Sequence, residues 1–315
     1  MPTATPRRRA NAQTIAKTQH RVLAWFDAQG RSLPWRATRD PYRTMVAEVM
    51  LQQTQTGRVA PAYHSFLQRF PTLSSLAHAP AMEVIQAWRG LGYNRRAVDL
   101  QRTAQAIDGE HGGVFPSSPA ALKRLPGLGE YTSNAIACFS FDAQVPVVDT
   151  NVRRVLSRNA LGRDPAELSN ERIAGLAAEW LPDGEAYRWN QALMDIGAMF
   201  CRSEKPLCSK CPLQSSCAYR AKGRHKKAPV RATRPQEKYE GSRRQARGSI
   251  VDHLRRAARK GITVSELAKQ MEGDPGALTE LLVKLEKEGL AELSPAARTG
   301  SPRGLVRLPG KVRRS

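Results

Sequence analysis

The segment Leu125-Pro126-Gly127-Leu128-Gly129 decides how this chain folds. After the glycines, residues 131–141 carry apolar side chains at helical spacing, and residues 119–124 before them are typical of the end of another helix. Two helices joined by a glycine-containing turn form a hairpin. Because glycine has no Cβ, and because the first N–H groups of a helix lack partners, the backbone of such a hairpin can approach a phosphate closely.

Asp149 follows the turn by twenty residues and opens the next helix, in which Val152, Val155 and Leu156 have apolar spacing. Taken alone, this pattern describes a tight turn between two core helices and then an aspartate N-cap. The turn, the spacing and the aspartate occur together in a very basic chain, and this combination favours a site for nucleic acid.

The charge of the chain supports that interpretation. Its 315 residues include 50 Lys and Arg but only 28 Asp and Glu, a net charge of +22, and the pI is about 10.5. A polyanion such as nucleic acid is the first candidate partner, although composition alone leaves open a protein that is merely soluble or touches anionic membranes. No apolar run is long enough to span a membrane, and no apolar segment follows Arg7-Arg8-Arg9, so no membrane partner is predicted and the expected location is the cytoplasm, in association with the nucleoid.

Helical periodicity extends along most of the chain, and the predicted fold class is all-α. Residues 14–29, 59–69, 81–89 and 95–109 fit amphipathic helices, and Asp40 followed by Pro41 is a typical helix start. Long β-alternation is absent from the sequence. The length of the chain allows two or three domains, each with its own core.

Glu48 lies in the helix that Pro41 opens, roughly 130° from the apolar face formed by Tyr42, Met45, Val46, Val49 and Met50. Such a glutamate is usually solvated. The polar segment Leu51-Gln52-Gln53-Thr54-Gln55 follows it directly. A second glycine turn, Gly90-Leu91-Gly92-Tyr93, comes later in the chain.

Four of the five cysteines, Cys201, Cys208, Cys211 and Cys217, are separated by six, two and five residues. A chain without an export signal is not expected to form disulfides, so this spacing indicates a metal site. Structural zinc stays open, although zinc ribbons usually contain two C-x2-C pairs and this chain has one. Cys138 is most simply a small core residue.

The composition changes after Cys217. Residues 221–315 contain 23 Lys and Arg against 10 Asp and Glu, a net charge of +13. Residues 222–247 fit a basic linker. Residues 248–315 fit three helices followed by two strands, which flank a loop at 294–303. That order is typical of a winged-helix module; a solvated helical appendage is the alternative.

Two stretches carry a family resemblance. Residues 125–132, Leu-Pro-Gly-Leu-Gly-Glu-Tyr-Thr, and residues 148–156, Val-Asp-Thr-Asn-Val-Arg-Arg-Val-Leu, resemble the hairpin and aspartate of helix-hairpin-helix DNA glycosylases, and among these the adenine DNA glycosylases. The resemblance covers about residues 20–220. It implies a six-helix domain at 36–142 with the helix-hairpin-helix and an iron–sulfur helical domain at 14–35 and 143–221. Outside this range, composition predicts a disordered basic arm at 1–13, the linker at 222–247 and the winged-helix-like module at 248–315. No Nudix-like C-terminal domain of the usual kind is expected.

The same resemblance implies the site residues. Departure of a purine needs an acid for the base and an anion for the sugar, and these roles fall to Glu48 and Asp149. Tyr131 matches a tyrosine that holds Asp149, and Asn151 matches a residue that orients the site. The four spaced cysteines match the ligands of a [4Fe–4S] cluster. The DNA-binding residues implied by the resemblance are Arg36, Leu51, Gln53, Thr54, Tyr93, Gly127 and Gly129.

The implied function is a monofunctional DNA glycosylase that excises adenine opposite 8-oxoguanine or guanine. Relatives with lyase activity form a Schiff base through a lysine at the position of Tyr131, and a phenol cannot form that adduct. The expected partner is double-stranded DNA with a mismatched or oxidised base pair, bound by a monomer. The alternatives are a glycosylase that removes thymine or uracil opposite guanine and a non-catalytic iron–sulfur protein that binds DNA.

Overall fold

In the computed structural model of this protein, residues 12–227, 240–272 and 274–311 are described. Residues 1–11 of the predicted arm and residues 228–239 of the predicted linker lie outside these ranges. None of the helices in the described ranges is both long and apolar enough to cross a membrane.

The described chain is mostly helical. Its first eight helices are α1 (Ala12–Gln29), α2 (Pro41–Leu51), α3 (Thr56–Arg69), α4 (Leu73–His78), α5 (Ala81–Ala87), α6 (Arg95–Glu110), α7 (Pro119–Leu122) and α8 (Glu130–Phe141). The next eight are α9 (Thr150–Leu156), α10 (Asn170–Glu179), α11 (Ala186–Met199), α12 (Ala218–Ala221), α13 (Arg243–Ala257), α14 (Val264–Met271), α15 (Pro275–Lys287) and α16 (Pro295–Arg298). The strands are β1 (Ile262–Thr263), β2 (Glu292–Leu293) and β3 (Leu305–Arg307). The predicted fold class, helical with a small winged C-terminal module, is confirmed.

The described residues divide into two compact units. The first contains 12–36 and 133–227, and the second contains 37–132 together with 240–272 and 274–311. The boundary at Thr132 falls inside α8. The predicted domain ranges are not tested by this division and stay a prediction.

The first unit has its core where α1, α9 and α11 pack together. Val22 of α1, Val152 of α9 and Trp189 of α11 are among its buried side chains. Asp195 of α11 is also fully buried, and it is compensated by two arginines: Arg31 and Arg36 each place a guanidinium nitrogen 2.7–2.8 Å from its carboxylate. A buried carboxylate needs such partners because desolvation of an unpaired charge is costly.

The second unit begins with α2, whose start follows the sequence prediction. Pro41 occupies the first helical position, and the Asp40 carboxylate accepts hydrogen bonds from the N–H groups of Tyr42 at 2.8 Å and Arg43 at 3.4 Å. Helices α3 and α6 pack against α2, and α4 and α5 pack against α6. The core of this part contains fully buried Phe66, Trp88 and other large side chains.

The C-terminal module belongs to the second unit. Its strands form an antiparallel sheet in the order β1-β3-β2, with Val306 paired with both Ile262 and Leu293. The two predicted wing strands are present as β2 and β3. The sequence prediction missed β1, because two residues are too few to show a period. Apolar residues of the module share one core cluster with Ile85 and Val98 of α5 and α6, so the module is seated on these helices.

Candidate active site

Glu48 is buried in the second unit, with only 4% of its surface exposed. The hydroxyl of Tyr131, at the start of α8, donates a hydrogen bond of 2.8 Å to Glu48 Oε2. A glutamate off the apolar face of a helix is usually solvated, but in α2 every residue from Thr44 to Met50 is buried. A carboxyl group inside the protein, held by a phenol, is suited to acid–base chemistry.

The two candidate DNA-facing segments lie beside each other in the same unit. The Thr54 hydroxyl donates to the carbonyl of Leu91 at 3.3 Å, which joins the segment after α2 to the second glycine turn. Gln53 has a φ of 55° and Tyr93 a φ of 43°, in the left-handed region that residues other than glycine rarely adopt. Tyr93 is also 46% exposed. Strained backbone together with an exposed aromatic ring is typical of a functional surface.

Arg96 holds these segments together and was not singled out from the sequence. Its Nη1 donates to the carbonyls of Val49 at 2.6 Å and Met50 at 3.0 Å, at the end of α2. Its Nη2 donates to Thr54 Oγ1 at 3.0 Å and to the carbonyls of the glycine turn at 3.1 and 3.2 Å. Burial lowers the pKa of Arg96 to about 10, so the guanidinium stays charged at neutral pH. An arginine at the start of a helix gives no sequence signal for such a role.

The hairpin has the backbone that the sequence predicts. Gly127 has a φ of +82°, and a Cβ at this position would lie 3.0 Å from the Cβ of Asp99 in α6. The hydroxyl of Thr103, one turn further along α6, donates to the carbonyl of Pro126 at 2.6 Å. Close packing on α6 therefore requires glycine at 127. For Gly129, which precedes α8, a Cβ would meet nothing within 4 Å, so packing does not explain that glycine.

Asp149, in the first unit, is the N-cap of α9, and both of its carboxylate oxygens have partners. Oδ1 accepts from the N–H of Val152 at 2.6 Å, and Oδ2 accepts from the side-chain amide of Asn151 at 2.8 Å. Loss of solvation raises the pKa of Asp149, and these hydrogen bonds oppose that rise. The N-cap role and the predicted site role therefore fall on the same residue.

Asn151 is itself fixed from two sides. Its side-chain oxygen accepts a hydrogen bond of 2.8 Å from Arg154, which also donates to the carbonyl of Gly197 at 2.9 Å and to that of Cys201. Gly197 of α11 lies directly against Asn151, and a Cβ on this glycine would come within 3.0 Å of the Asn151 Cα. Arg154 and Gly197 were missed by the sequence prediction, because nothing local marks contacts between α9 and α11.

The four spaced cysteines line one pocket of the first unit, together with Arg158 and Tyr219. Arg158 lies with its guanidinium 4.7 Å from the centre of the Tyr219 ring and 4.0 Å from Cys201 Sγ. Burial raises the pKa of the Cys211 thiol to about 12. In the part of the chain that the structure describes, no group of three or more His, Cys, Asp or Glu side chains is arranged to hold a metal ion.

Arg36 has a structural role in the first unit. Four of its N–H donors are used: by Gln191 Oε1 at 2.6 Å, by the carbonyl of Arg31 at 2.8 Å and by both oxygens of Asp195 at 2.8 and 2.9 Å. Its side chain is 9% exposed. These contacts argue against the predicted DNA contact, which stays a prediction.

The structure thus brings Glu48 and Tyr131 together in the second unit, which also contains Leu51, Gln53, Thr54, Tyr93, Gly127 and Gly129. Asp149 and Asn151 lie together in the first unit, as do the four cysteines. The Tyr131 hydroxyl donates a hydrogen bond to Glu48. Its expected role of holding Asp149, and the expected convergence of Glu48 and Asp149, stay predictions.

Comparison with known proteins decides the family. The HhH-GPD superfamily of base excision DNA repair proteins matches residues 46–179. Adenine DNA glycosylase of Mycolicibacterium smegmatis is 38% identical over 289 residues, which cover 89% of this chain and 97% of that protein. The chain belongs to the adenine DNA glycosylase family.

Solved structures agree with this family's fold. A thermostable thymine-DNA glycosylase superposes with a TM-score of 0.62 at 30% identity, covering 67% of this chain and 98% of that one. An endonuclease III–DNA complex superposes with a TM-score of 0.59, over 68% of this chain and 98% of that one; at 22% identity this likeness concerns the fold alone. As a member of the adenine DNA glycosylase family, the chain is a DNA N-glycosylase of base excision repair.

Proposed function

We propose that this protein is a monofunctional glycosylase that removes adenine paired with 8-oxoguanine or guanine in duplex DNA, acting as a monomer. The observation that carries the proposal is the 2.8 Å hydrogen bond from the Tyr131 hydroxyl to the buried Glu48 carboxyl group. A phenol stands where a lyase would need an amine, and it is bound to the proposed catalytic acid. This pair supports hydrolysis of a glycosidic bond without cleavage of the strand.

Glu48 serves as the acid in the proposed reaction. The target nucleotide leaves the base stack, because its glycosidic bond cannot be reached inside the duplex. Glu48 gives its proton to a ring nitrogen of the adenine as the bond between C1′ and N9 breaks, and the electron pair of that bond goes to the base. Water then adds to C1′ and loses a proton to the Glu48 carboxylate, so the products are free adenine and an abasic sugar.

Asp149 supplies the anion for the sugar. Departure of the base leaves positive charge on the deoxyribose, and a carboxylate beside it stabilises that charge. The hydrogen bonds from Val152 and Asn151 hold Asp149 in one orientation, and they favour its ionised form. The unpaired amides of the hairpin at Gly127 and Gly129 bind phosphates of the substrate strand, and Leu51, Gln53, Thr54 and Tyr93 occupy or support the gap in the stack.

The four cysteines fit a [4Fe–4S] cluster. Cys201, Cys208, Cys211 and Cys217 line one pocket, which supports a site held by four thiolates. Four cysteine thiolates would serve as the ligands of such a cluster. When bound, such a cluster would cross-link the loop at 201–217 and could exchange an electron. Arg158 lies beside the Cys201 sulfur, where it can compensate thiolate charge.

A comparison of four substrates tests the activity. The purified protein is incubated with duplexes that contain A·8-oxoguanine, A·G, T·G or U·G pairs, and abasic sites are then cleaved with alkali. We expect cleavage at adenine in the first two duplexes. Cleavage confined to T·G and U·G would assign the protein to pyrimidine mismatches, a result that its likeness to a thymine-DNA glycosylase makes worth testing. Binding without any cleavage would leave a non-catalytic DNA-binding protein.

Omission of the alkali tests the monofunctional assignment. Because Tyr131 has no amine, we expect intact strands before alkali treatment and no covalent adduct after borohydride reduction. A borohydride-trapped protein–DNA adduct would refute this part of the proposal.

Visible absorption tests the cluster. Protein purified without oxygen should show the broad iron–sulfur absorption, and C211S should lose it. Cys138 provides the matched control: it is buried in α8 outside the cysteine pocket, so C138S should keep the absorption. Stoichiometric zinc with no visible absorption would contradict the cluster.

A further inference from the structure

A cavity of about 700 Å³ lies in the second unit, between the Gly90–Arg96 turn and the first helix of the C-terminal module, α13. Gln53 and Tyr93 form part of its wall, and Arg244 and Arg247 of α13 form another part. The volume is within the range of sites that bind small molecules or single nucleotides. The proposed base-excision reaction uses Gln53 and Tyr93 but assigns no role to the arginines of α13 or to the C-terminal module.

Helix α13 is fixed against the turn by specific contacts. Arg255 donates to the carbonyl of Ile85 at 2.9 and 3.1 Å and to the side-chain oxygen of Asn94, next to Tyr93, at 2.9 Å. Leu254 of α13 is fully buried in the core cluster that the module shares with α5 and α6. The module therefore presents α13 to the glycine turn in a defined position.

The cavity is positively charged. Its lining contains six arginines (Arg58, Arg95, Arg96, Arg244, Arg247 and Arg255) and three carboxylates (Asp99, Asp252 and Glu288), a formal balance of 6 − 3 = +3. Arg96 and Arg255 are engaged by backbone carbonyls, so they hold the walls in place. Arg247 is different, since it pairs with the carboxylate of Glu288 at the end of α15, and both side chains are partly exposed.

The position of the cavity relates it to DNA. Gln53 and Tyr93 adopt left-handed backbone conformations beside it, and both are proposed to contact the base stack. Arg244 and Arg247 of α13 line the same cavity as these two residues. Arginine is well suited to phosphate because its donors form a planar fork, and a phosphate can replace a carboxylate as its partner.

We propose that the C-terminal module is a DNA-binding element in which Arg244 and Arg247 bind the phosphodiester backbone beside Gln53 and Tyr93, with a phosphate displacing Glu288 from Arg247. The inference rests on the proposed function only in that duplex DNA is the substrate. The module then extends the DNA surface of the glycosylase by one helix.

The test uses the full chain and an undamaged duplex, with fluorescence anisotropy measured over a range of salt concentrations. Each lost phosphate contact should lower the salt slope by about one and weaken binding about eightfold near 0.1 M salt, because log K falls with a slope of about −0.9 per neutralised phosphate. We expect these losses for R244Q and R247Q. R307Q is the matched control, since Arg307 lies on the same module, pairs with Glu292 and does not line the cavity; it should bind like the wild type.

Removal of a negative charge from the cavity gives a second, independent test, because it should strengthen DNA binding. E288Q removes the carboxylate that competes for Arg247 and should bind roughly threefold more tightly, whereas E292Q, its control outside the cavity, should not. Thermal melting of each variant identifies a loss of folding, and E288Q keeps the inference testable if R247Q melts early.

The outcomes separate this inference from the proposed function. If the wild type excises adenine but R244Q and R247Q bind DNA like R307Q, and E288Q like E292Q, the inference is refuted and the glycosylase proposal stands. If the wild type neither binds the duplex nor releases a base, both are refuted.

Discussion

Replacement of Gly197 by alanine tests how tightly α9 and α11 are packed behind Asp149. Gly197 is buried in α11, and an added Cβ would lie 3.0 Å from the Cα and 3.1 Å from the Cγ of Asn151, and nearer still to its Cβ. One of these atoms belongs to the backbone, so a side-chain rotation cannot relieve the contact. The two helices have to separate, and Asn151 has to move with respect to Asp149.

The magnitude follows from three contributions. Alanine in place of glycine inside a helix stabilises by about 1 kcal/mol. Overpacking costs about 1–3 kcal/mol, here at the upper end because backbone is involved. Loss of the 2.8 Å hydrogen bond from Asn151 to Asp149 costs about 1 kcal/mol more. The net loss is about 2–3 kcal/mol in the free energy of unfolding, and adenine excision should fall with it because Asp149 loses a partner.

Denaturant unfolding and single-turnover excision by G197A measure these effects. G175A is the matched control: Gly175 lies in the neighbouring helix α10, is exposed, and a Cβ there would meet nothing within 4 Å. It should be as stable as the wild type or more so, since only the helix propensity changes. If G197A proved as stable and as active as G175A, the account of the α9–α11 contact would be wrong.

Three further predictions concern individual side chains. Arg96→Lys should lose at least about 2 kcal/mol of stability and weaken DNA binding, because one ammonium cannot serve the carbonyls of Val49, Met50 and the glycine turn together; chemical denaturation and anisotropy check this. The excision rate should begin to fall at a higher pH than it would for an exposed aspartate, because burial raises the pKa of Asp149 and the reaction uses its ionised form. Asn151→Ala should move this fall in rate to a higher pH, since the substitution removes a hydrogen bond that lowers the pKa of Asp149. An unchanged pH profile would contradict the assignment of the fall to Asp149. Tyr131→Phe should lower the excision rate about tenfold or more with little change in duplex affinity, because Glu48 loses its hydroxyl partner; an unchanged single-turnover rate would exclude this role.

Local features of the structure were predictable from the sequence. Asp40 with Pro41, the glycine turn at Gly127 and the N-cap at Asp149 each depend on a few adjacent residues, and the structure has all of them. The helical class and the wing strands followed from periodicity in the same way.

Long-range contacts were not predictable. Glu48 is buried because other helices, including α3 and α6, pack against α2. Its position on a helical wheel cannot predict this burial. Arg96 bonds to segments more than forty residues away, and Gly197 matters only through Asn151 on another helix. The sequence predicts a DNA contact for Arg36 and gives no sign of the ion pair that its guanidinium forms with Asp195 inside the first unit. Side chains that act through tertiary packing leave no local pattern in the sequence.

The central claim is that Glu48 and Asp149 act on the same extruded adenine nucleotide. Its most direct test is the release of free adenine in a single turnover from a duplex with an A·8-oxoguanine pair, measured for the wild type, E48Q and D149N. The account predicts that the wild type releases adenine and that each substitution slows release by at least about a thousandfold, while the affinity for the duplex changes only a few-fold. Release at the wild-type rate by either variant would contradict the account.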